Sequence, residues 1–167
     1  MNASTGTGSI VPSTPANQPN ADRTAIVAEF EVARPPERAW RALTDADLLG
    51  MWLMKNDIKP VVGHRFTFST EPAHGWDGVV HCEVLVAEAP RRLSYTWQSM
   101  PNEKPGHPTR LDTVVTWTLT PTANGGTRVR VEHTGFQPQN SFAYDGLGRG
   151  WNDKVLPALK TRIETLD

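Results

Sequence analysis

The sequence predicts an α+β domain in which a curved antiparallel sheet wraps around one long C-terminal helix. Three observations carry that expectation. The middle of the chain is a run of short segments whose apolar and polar residues alternate, the period of a half-buried strand. The connections between them are short, which favours antiparallel neighbours with one face turned inward. The chain then closes on Trp151, Val155, Leu159, Ile163 and Leu166, an apolar stripe at helical spacing that has to be buried against the concave face of the sheet.

Taken in order, residues 1–23 are rich in Ser, Thr, Asn, Pro and Gly and are almost uncharged, a composition expected of a disordered tail. Only Ile10 and Val11 adjoin there, far short of the apolar core of a secretory signal. The folded domain is expected to span 24–167. "TAIVAEFEV" places Ile26, Ala28, Phe30 and Val32 on one side of a first strand and Val27, Glu29 and Glu31 on the other. Pro35 and Pro36 stop it and start a helix, where a missing N–H costs nothing. Ala39, Trp40 and Leu43 continue that helix and anchor it to the sheet. Thr44-Asp45 breaks it, and either residue can cap a second short helix that ends at Trp52.

Strands follow. "RFTFST" puts Phe66 and Phe68 on one face; "GVVHCEVLVAEA" puts Val80, Cys82, Val84 and Val86 opposite His81 and Glu83. "RRLSYTWQ" turns Leu93, Tyr95 and Trp97 inward, and "DTVVTWTLTP" does so for Thr113, Val115, Trp117 and Leu119. "TPTANGG" is a turn of the Asn-Gly type, after which "TRVRVEHTGF" turns Val129, Val131 and His133 inward. Pro157 inside the last helix is expected to kink it, because it removes a hydrogen bond and crowds the carbonyl of Asp153.

Bulk properties exclude several function classes. With 17 Lys+Arg against 18 Asp+Glu, the net charge of −1 offers no basic excess for a phosphate backbone, so no nucleic-acid partner is expected. One cysteine, Cys82, precludes an intramolecular disulfide and fits a reducing, cytoplasmic setting. No apolar run approaches the roughly 18 residues of a membrane-spanning helix, so no membrane insertion is expected.

The strings "ARPPERAWRALTDADLLGMWL", "GHRFTF", "GVVHCEVLVAEAPRRLSYTW", "TVVTWTLTP", "GGTRVRVEHTGF" and "GWNDKVLPALKTRIETL" resemble, in order and spacing, the START-like or SRPBCC superfamily with its helix-grip (Bet v-like) fold. Within it they are most similar to the branch of activator of heat-shock-protein-90 ATPase homologues, over about Thr24 to Leu166. The resemblance implies a deep, largely apolar cavity between the curved sheet and the C-terminal helix, gated in part by the two short helices. Members bind lipids, polyketides, hormones or aromatic compounds, and some are cyclases or dehydratases; the eukaryotic namesake stimulates a chaperone ATPase.

Candidate site residues follow from the inward registers. Trp52, Phe66, Phe68, Val80, Tyr95, Trp97, Trp117, Leu147 and Trp151, with Phe142 and Tyr144 near the helix start, either fill the core or line a pocket for an apolar ligand. His133, on the inward register of the last strand, is the candidate general acid–base; the alternative is a core histidine bonded to backbone. His64, His74 and His107 fall in loop-like surroundings. His81 and Cys82 point to opposite faces of one strand and do not share an ion, so no metal or other cofactor is expected. Gly146, Gly148 and Gly150 lack the context of a phosphate loop; they are either a flexible lip over the cavity or a loosely wound helix start. "SMPNEKPGHPTR", Ser99 to Arg110, is a polar loop. The leading expectation is binding of a hydrophobic or aromatic small molecule, lipid or polyketide-like. Its alternatives are a cyclase, dehydratase or hydrolase using His133 with Tyr95, or with an Asp or Glu the sequence does not place, in the same pocket, and an interaction module for a chaperone. The sequence leaves turnover and oligomeric state open.

Overall fold

The computed structural model describes residues 24–72, 76–100 and 110–166. The N-terminal tail, His74, His107 and most of the Ser99–Arg110 loop lie outside the described residues.

Seven antiparallel strands form one sheet in the order β1-β7-β6-β5-β4-β3-β2, curled around the C-terminal helical segment. The strands are β1 (Ala25–Val32), β2 (Lys55–Asn56), β3 (Arg65–Ser69), β4 (Val79–Glu88), β5 (Arg92–Ser99), β6 (Leu111–Pro121) and β7 (Thr127–Thr134). Helices α1 (Pro36–Thr44) and α2 (Ala46–Trp52) follow β1, and α3 (Ser141–Gly150) and α4 (Leu156–Thr165) close the chain. Six strands follow the alternation of the sequence. The seventh, β2, has two residues and pairs Lys55 with Ser69 and Asn56 with Phe68, too short to show a period.

The helices form where their end signals stand. Pro35 precedes α1, and its carbonyl accepts from Arg38 N. The inner face of α1 is Ala39, Ala42 and Leu43, all buried, whereas Trp40 is half-buried. Of the two candidate caps, Asp45 acts: its Oδ1 accepts from the amides of Asp47 and Leu48 at 3.0 and 3.1 Å, satisfying two N–H groups of the first turn of α2. Arg34 and Arg38 donate to the carbonyls of Glu164 and Leu166, which ties the end of α4 to the start of α1.

Two local expectations are corrected. Val86 does not share the inward face of β4. A bulge at Leu85 makes Val84 oppose Tyr95 and Val86 oppose Ser94, so past the bulge it is Ala87 that faces the buried Leu93. The extra residue advances the side-chain phase by one. The interruption near Pro157 lies one turn earlier than Pro157 itself. Residues Trp151–Val155 form a π-type turn, in which Leu156 N–H reaches the carbonyl of Trp151, and Pro157 then sits in the first turn of α4. The widened turn accommodates a residue that has no N–H to return. Gly146, Gly148 and Gly150 are helical, inside α3.

Candidate functional site

The inner face of the sheet brings the sequence's aromatic residues into one network under the helical segment. From β3, Phe66 and Phe68 stand 5.4 Å apart, ring centre to ring centre, and both meet Tyr95 of β5, at 5.4 and 6.0 Å. Trp97 on the same strand contacts Phe68 at 5.4 Å, His133 of β7 at 5.3 Å and Trp151 at 5.8 Å. Trp117 of β6 sits edge-on to Trp151 at 5.7 Å and to Trp52 of α2 at 5.8 Å. Edge-to-face and tilted geometries at these spacings are the favourable ones for aromatic pairs. Phe68 and Trp117 have no accessible surface and Tyr95, Trp97 and Trp151 have 1–3%, so in this conformation the rings pack against one another. Val80 is buried with them, and Leu147 is half-buried against the core. Phe142 departs from expectation: it is 72% exposed and turned to solvent. Its neighbour Tyr144 is the buried residue of α3, edge-on to Phe136 at 5.3 Å with its hydroxyl donating to the carbonyl of Ala25.

Polar groups within this apolar interior are few and nearly all engaged. The Trp52 indole N–H donates to the carbonyl of Ala42 at 2.9 Å. The Trp151 indole N–H donates to Nδ1 of His133 at 3.1 Å. An indole nitrogen only donates, so His133 Nδ1 is the acceptor and the ring proton resides on Nε2. That proton goes to Thr113 Oγ1 at 2.8 Å, and the Thr113 hydroxyl donates in turn to the carbonyl of Trp97, also at 2.8 Å. The result is a directed chain from α3's end across β7 and β6 to β5. His133 has no accessible surface, and burial holds its pKa down to about 3, so the imidazole is neutral at physiological pH. Both ring nitrogens are occupied, which leaves no lone pair for a substrate proton. The geometry is that of a core histidine, bonded to side chains rather than to backbone.

The remaining interior pair is Trp117 and Tyr95. The Trp117 indole donates to the Tyr95 hydroxyl oxygen at 3.0 Å. Tyr95 is 1% exposed, and burial raises the pKa of its phenol well above the ordinary value, so it keeps its proton. Burial likewise pushes up the Cys82 thiol, with Asp57 adding to the effect, so Cys82 is not an activated nucleophile. Among the described residues no three His, Cys, Asp or Glu side chains gather in a metal-binding group.

The outer face of β3, β4 and β5 carries a polar recess of about 480 Å³, lined by side chains that include Asp57, Arg65, Thr67, His81, Glu83 and Gln98. His81 and Glu83 lie here, on the outward register read from the sequence. Arg65 and Glu83 approach to 3.4 Å, but at 84% and 41% side-chain exposure the pair contributes little. His64 is half-buried at the edge of the aromatic network, its ring stacked on Phe66 at 6.1 Å and its Nε2 2.9 Å from the carbonyl of Asp57. Among the described residues no helix is long and apolar enough to cross a membrane.

Sequence reasoning placed Thr113 on the inner face but gave it no role. The signal was available: Thr113 and His133 are polar residues on the inward registers of adjacent strands, and such residues are buried only with partners. Phe136 and Asn140 were missed, because each follows β7 where no period is readable.

Comparison with known proteins places these features in context. The model of the family "Activator of Hsp90 ATPase homolog 1-like protein" matches residues 33–164. A crystal structure of protein MLL2253 from Mesorhizobium loti is 43% identical, with a TM-score of 0.75, covering 86% of this chain and 98% of that one. DynU16, a protein in the dynemicin biosynthetic locus, is 22% identical with a TM-score of 0.67, covering 85% of this chain and 48% of that one. PFC0360w, an HSP90 activator from Plasmodium falciparum, is 17% identical with a TM-score of 0.64, covering 83% of this chain and 94% of that one. The last two similarities concern the fold alone. No curated protein matches the sequence.

Proposed function

The chain belongs to the Activator of Hsp90 ATPase homolog 1-like protein family, and on that premise we propose that it binds a hydrophobic or aromatic small molecule between the sheet and the C-terminal helical segment. The carrying observation is the interior itself, a continuous aromatic network from Trp52 to Phe136 with few polar groups. Planar aromatic faces of this kind suit a planar or polycyclic guest.

The network is closed, so a guest needs a way in, and α3 is the weakest wall. Tyr144 is its one buried residue, and a side chain added at Gly146, Gly148 or Gly150 would meet nothing within 4 Å. No close approach requires these glycines, yet each costs a helix roughly 1 kcal/mol relative to alanine. A helix so weakened, and joined to α4 through a π-type turn, opens more readily than the strands it covers. Displacing it uncovers Trp151 and, beside it, Trp97 and Trp117.

This reading is tested by native mass spectrometry of the freshly purified protein, followed by titration of the emptied protein with aromatic and lipid probes while tryptophan emission is followed. A bound small molecule, or saturable quenching, supports it; emission indifferent to every probe refutes it. A hydrolase or cyclase built on His133 is disfavoured by the engagement of both its nitrogens. A chaperone-directed role is favoured by the family's description alone, and predicts stimulation of the chaperone's ATPase by the purified protein.

A further inference from the structure

Every polar hydrogen on the interior side chains Trp52, Trp117, Trp151, His133 and Thr113 has a defined acceptor. Tyr95 is the exception. Its hydroxyl oxygen accepts from Trp117, but among the described residues nothing accepts its proton. The group is 1% exposed, so it has no outlet to bulk solvent either. A buried donor left unpaired is costly in a folded protein, and such groups call for an explanation.

The position of this proton is informative. Tyr95 Oη lies at the Trp117 indole, whose ring stands edge-on to Trp52 and Trp151, while Phe66 and Phe68 flank the Tyr95 ring. A flat guest that separates these rings meets apolar faces throughout and one hydrogen-bond donor. The donor is also oriented, because the Trp117 N–H occupies one lone pair of the oxygen.

We propose that Tyr95 is the specificity-determining residue of the interior site, and that the ligand is an aromatic compound bearing an acceptor oxygen, such as an aryl ketone or quinone carbonyl, which takes the Tyr95 hydroxyl proton. This rests on the small-molecule reading above and adds the polar half of the ligand's description. A pure hydrocarbon or a saturated lipid tail leaves the donor orphaned, and a ligand presenting only donors meets no free acceptor on His133, both of whose nitrogens are engaged. The phenol stays protonated across the physiological range, so recognition does not vary with pH there.

Two near-isosteric probes isolate the effect. Benzophenone and diphenylmethane differ by one carbonyl in place of a methylene, and equilibrium dialysis gives the Kd of each without relying on fluorescence. The ratio of the two Kd values is compared between the natural protein and Tyr95→Phe, so that the difference in probe hydrophobicity cancels. The ratio is expected to shift by about tenfold toward the hydrocarbon in Tyr95→Phe, the size of one net hydrogen bond. Asp45→Ala, which removes the cap of α2 and touches none of the interior side chains, is expected to keep the ratio, which separates the hydroxyl from general destabilisation. An unchanged ratio in Tyr95→Phe overturns the assignment and leaves small-molecule binding standing. If Tyr95→Phe does not fold, the carbonyl stretch of benzophenone bound to the natural protein decides: a band at lower wavenumber than in a hydrocarbon solvent supports the assignment, and an unshifted band overturns it. Failure of the natural protein to bind either probe refutes the interior site and the role of Tyr95 together.

Discussion

The indole N–H of Trp151 donates to Nδ1 of His133 across 3.1 Å, and this bond fixes the tautomer of the histidine, with its proton on Nε2. A protonated imidazole would turn Nδ1 from acceptor into donor, facing another donor. Burial acts in the same direction and holds the pKa down to about 3, against an ordinary 6.5.

The sign of the resulting pH dependence is fixed. In the unfolded chain His133 takes up a proton below about pH 6.5, whereas the folded protein refuses it until about pH 3, so the unfolded state binds more protons between these limits. Stability is therefore full above pH 6.5 and falls as the solution is acidified. Between pH 7 and pH 5 the loss attributable to this group is about 2 kcal/mol. Urea unfolding at the two pH values measures it, and His133→Gln, which offers one donor and one acceptor without a titrating proton, is expected to lose that part of the slope.

Thr113 is the middle of the chain, accepting from His133 and donating to the Trp97 carbonyl. Thr113→Val preserves shape and removes both bonds, leaving the Nε2 proton and the carbonyl buried without partners. The expected loss is about 2 to 4 kcal/mol, because unpaired buried groups lose their full desolvation cost. Thr113→Ser, which keeps the hydroxyl, is expected to lose about 1 kcal/mol or less through the missing methyl. Chemical denaturation of both variants distinguishes a bonded role from mere volume.

How much of this was readable in the sequence differs by level. The strand registers were, because alternation reports burial directly: Tyr95, Trp97, Trp117, Val131 and His133 all face inward as their periods require. Two failures have local causes. The bulge at Leu85 inverted the phase for Val86, and no residue type marks a bulge. Phe142 was named beside Tyr144 for its place near the helix start, but it stands nine residues before Trp151 and so on the opposite side of an α-helix, whereas Tyr144, seven before, shares the face of Trp151. The bonding of His133 was not readable, because Thr113 and Trp151 are 20 and 18 residues away and meet it only in the folded sheet.

Asp45 offers a separate check on local structure. Its carboxylate satisfies two amides at the start of α2, the helix that carries Trp52 to Trp117. Asp45→Ala is expected to lose about 1 kcal/mol, and Asp45→Ser to restore most of it. Neither change touches the interior polar chain, so the acid dependence assigned to His133 should be unaltered in both, as denaturation at pH 7 and pH 5 would reveal.

The glycines of α3 provide the sharpest test of how the interior opens. A Cβ at Gly146, Gly148 or Gly150 meets nothing within 4 Å, and none of the three has a positive φ. Alanine is therefore accommodated without strain at each position, and each replacement is expected to stabilise the helix by about 0.5 to 1 kcal/mol. If α3 served only as a wall, the triple variant would gain global stability and nothing else would change. If α3 is the part that moves, its amide protons exchange faster than those of β5–β7 in the natural protein, and the triple variant slows that exchange selectively. The same variant should then take up and release an aromatic probe more slowly by one to two orders of magnitude, since about 1.4 kcal/mol of added opening cost corresponds to a factor of ten. Unchanged probe kinetics in a stabilised triple variant would place the opening elsewhere, with α1–α2 and Trp52 the next wall to examine.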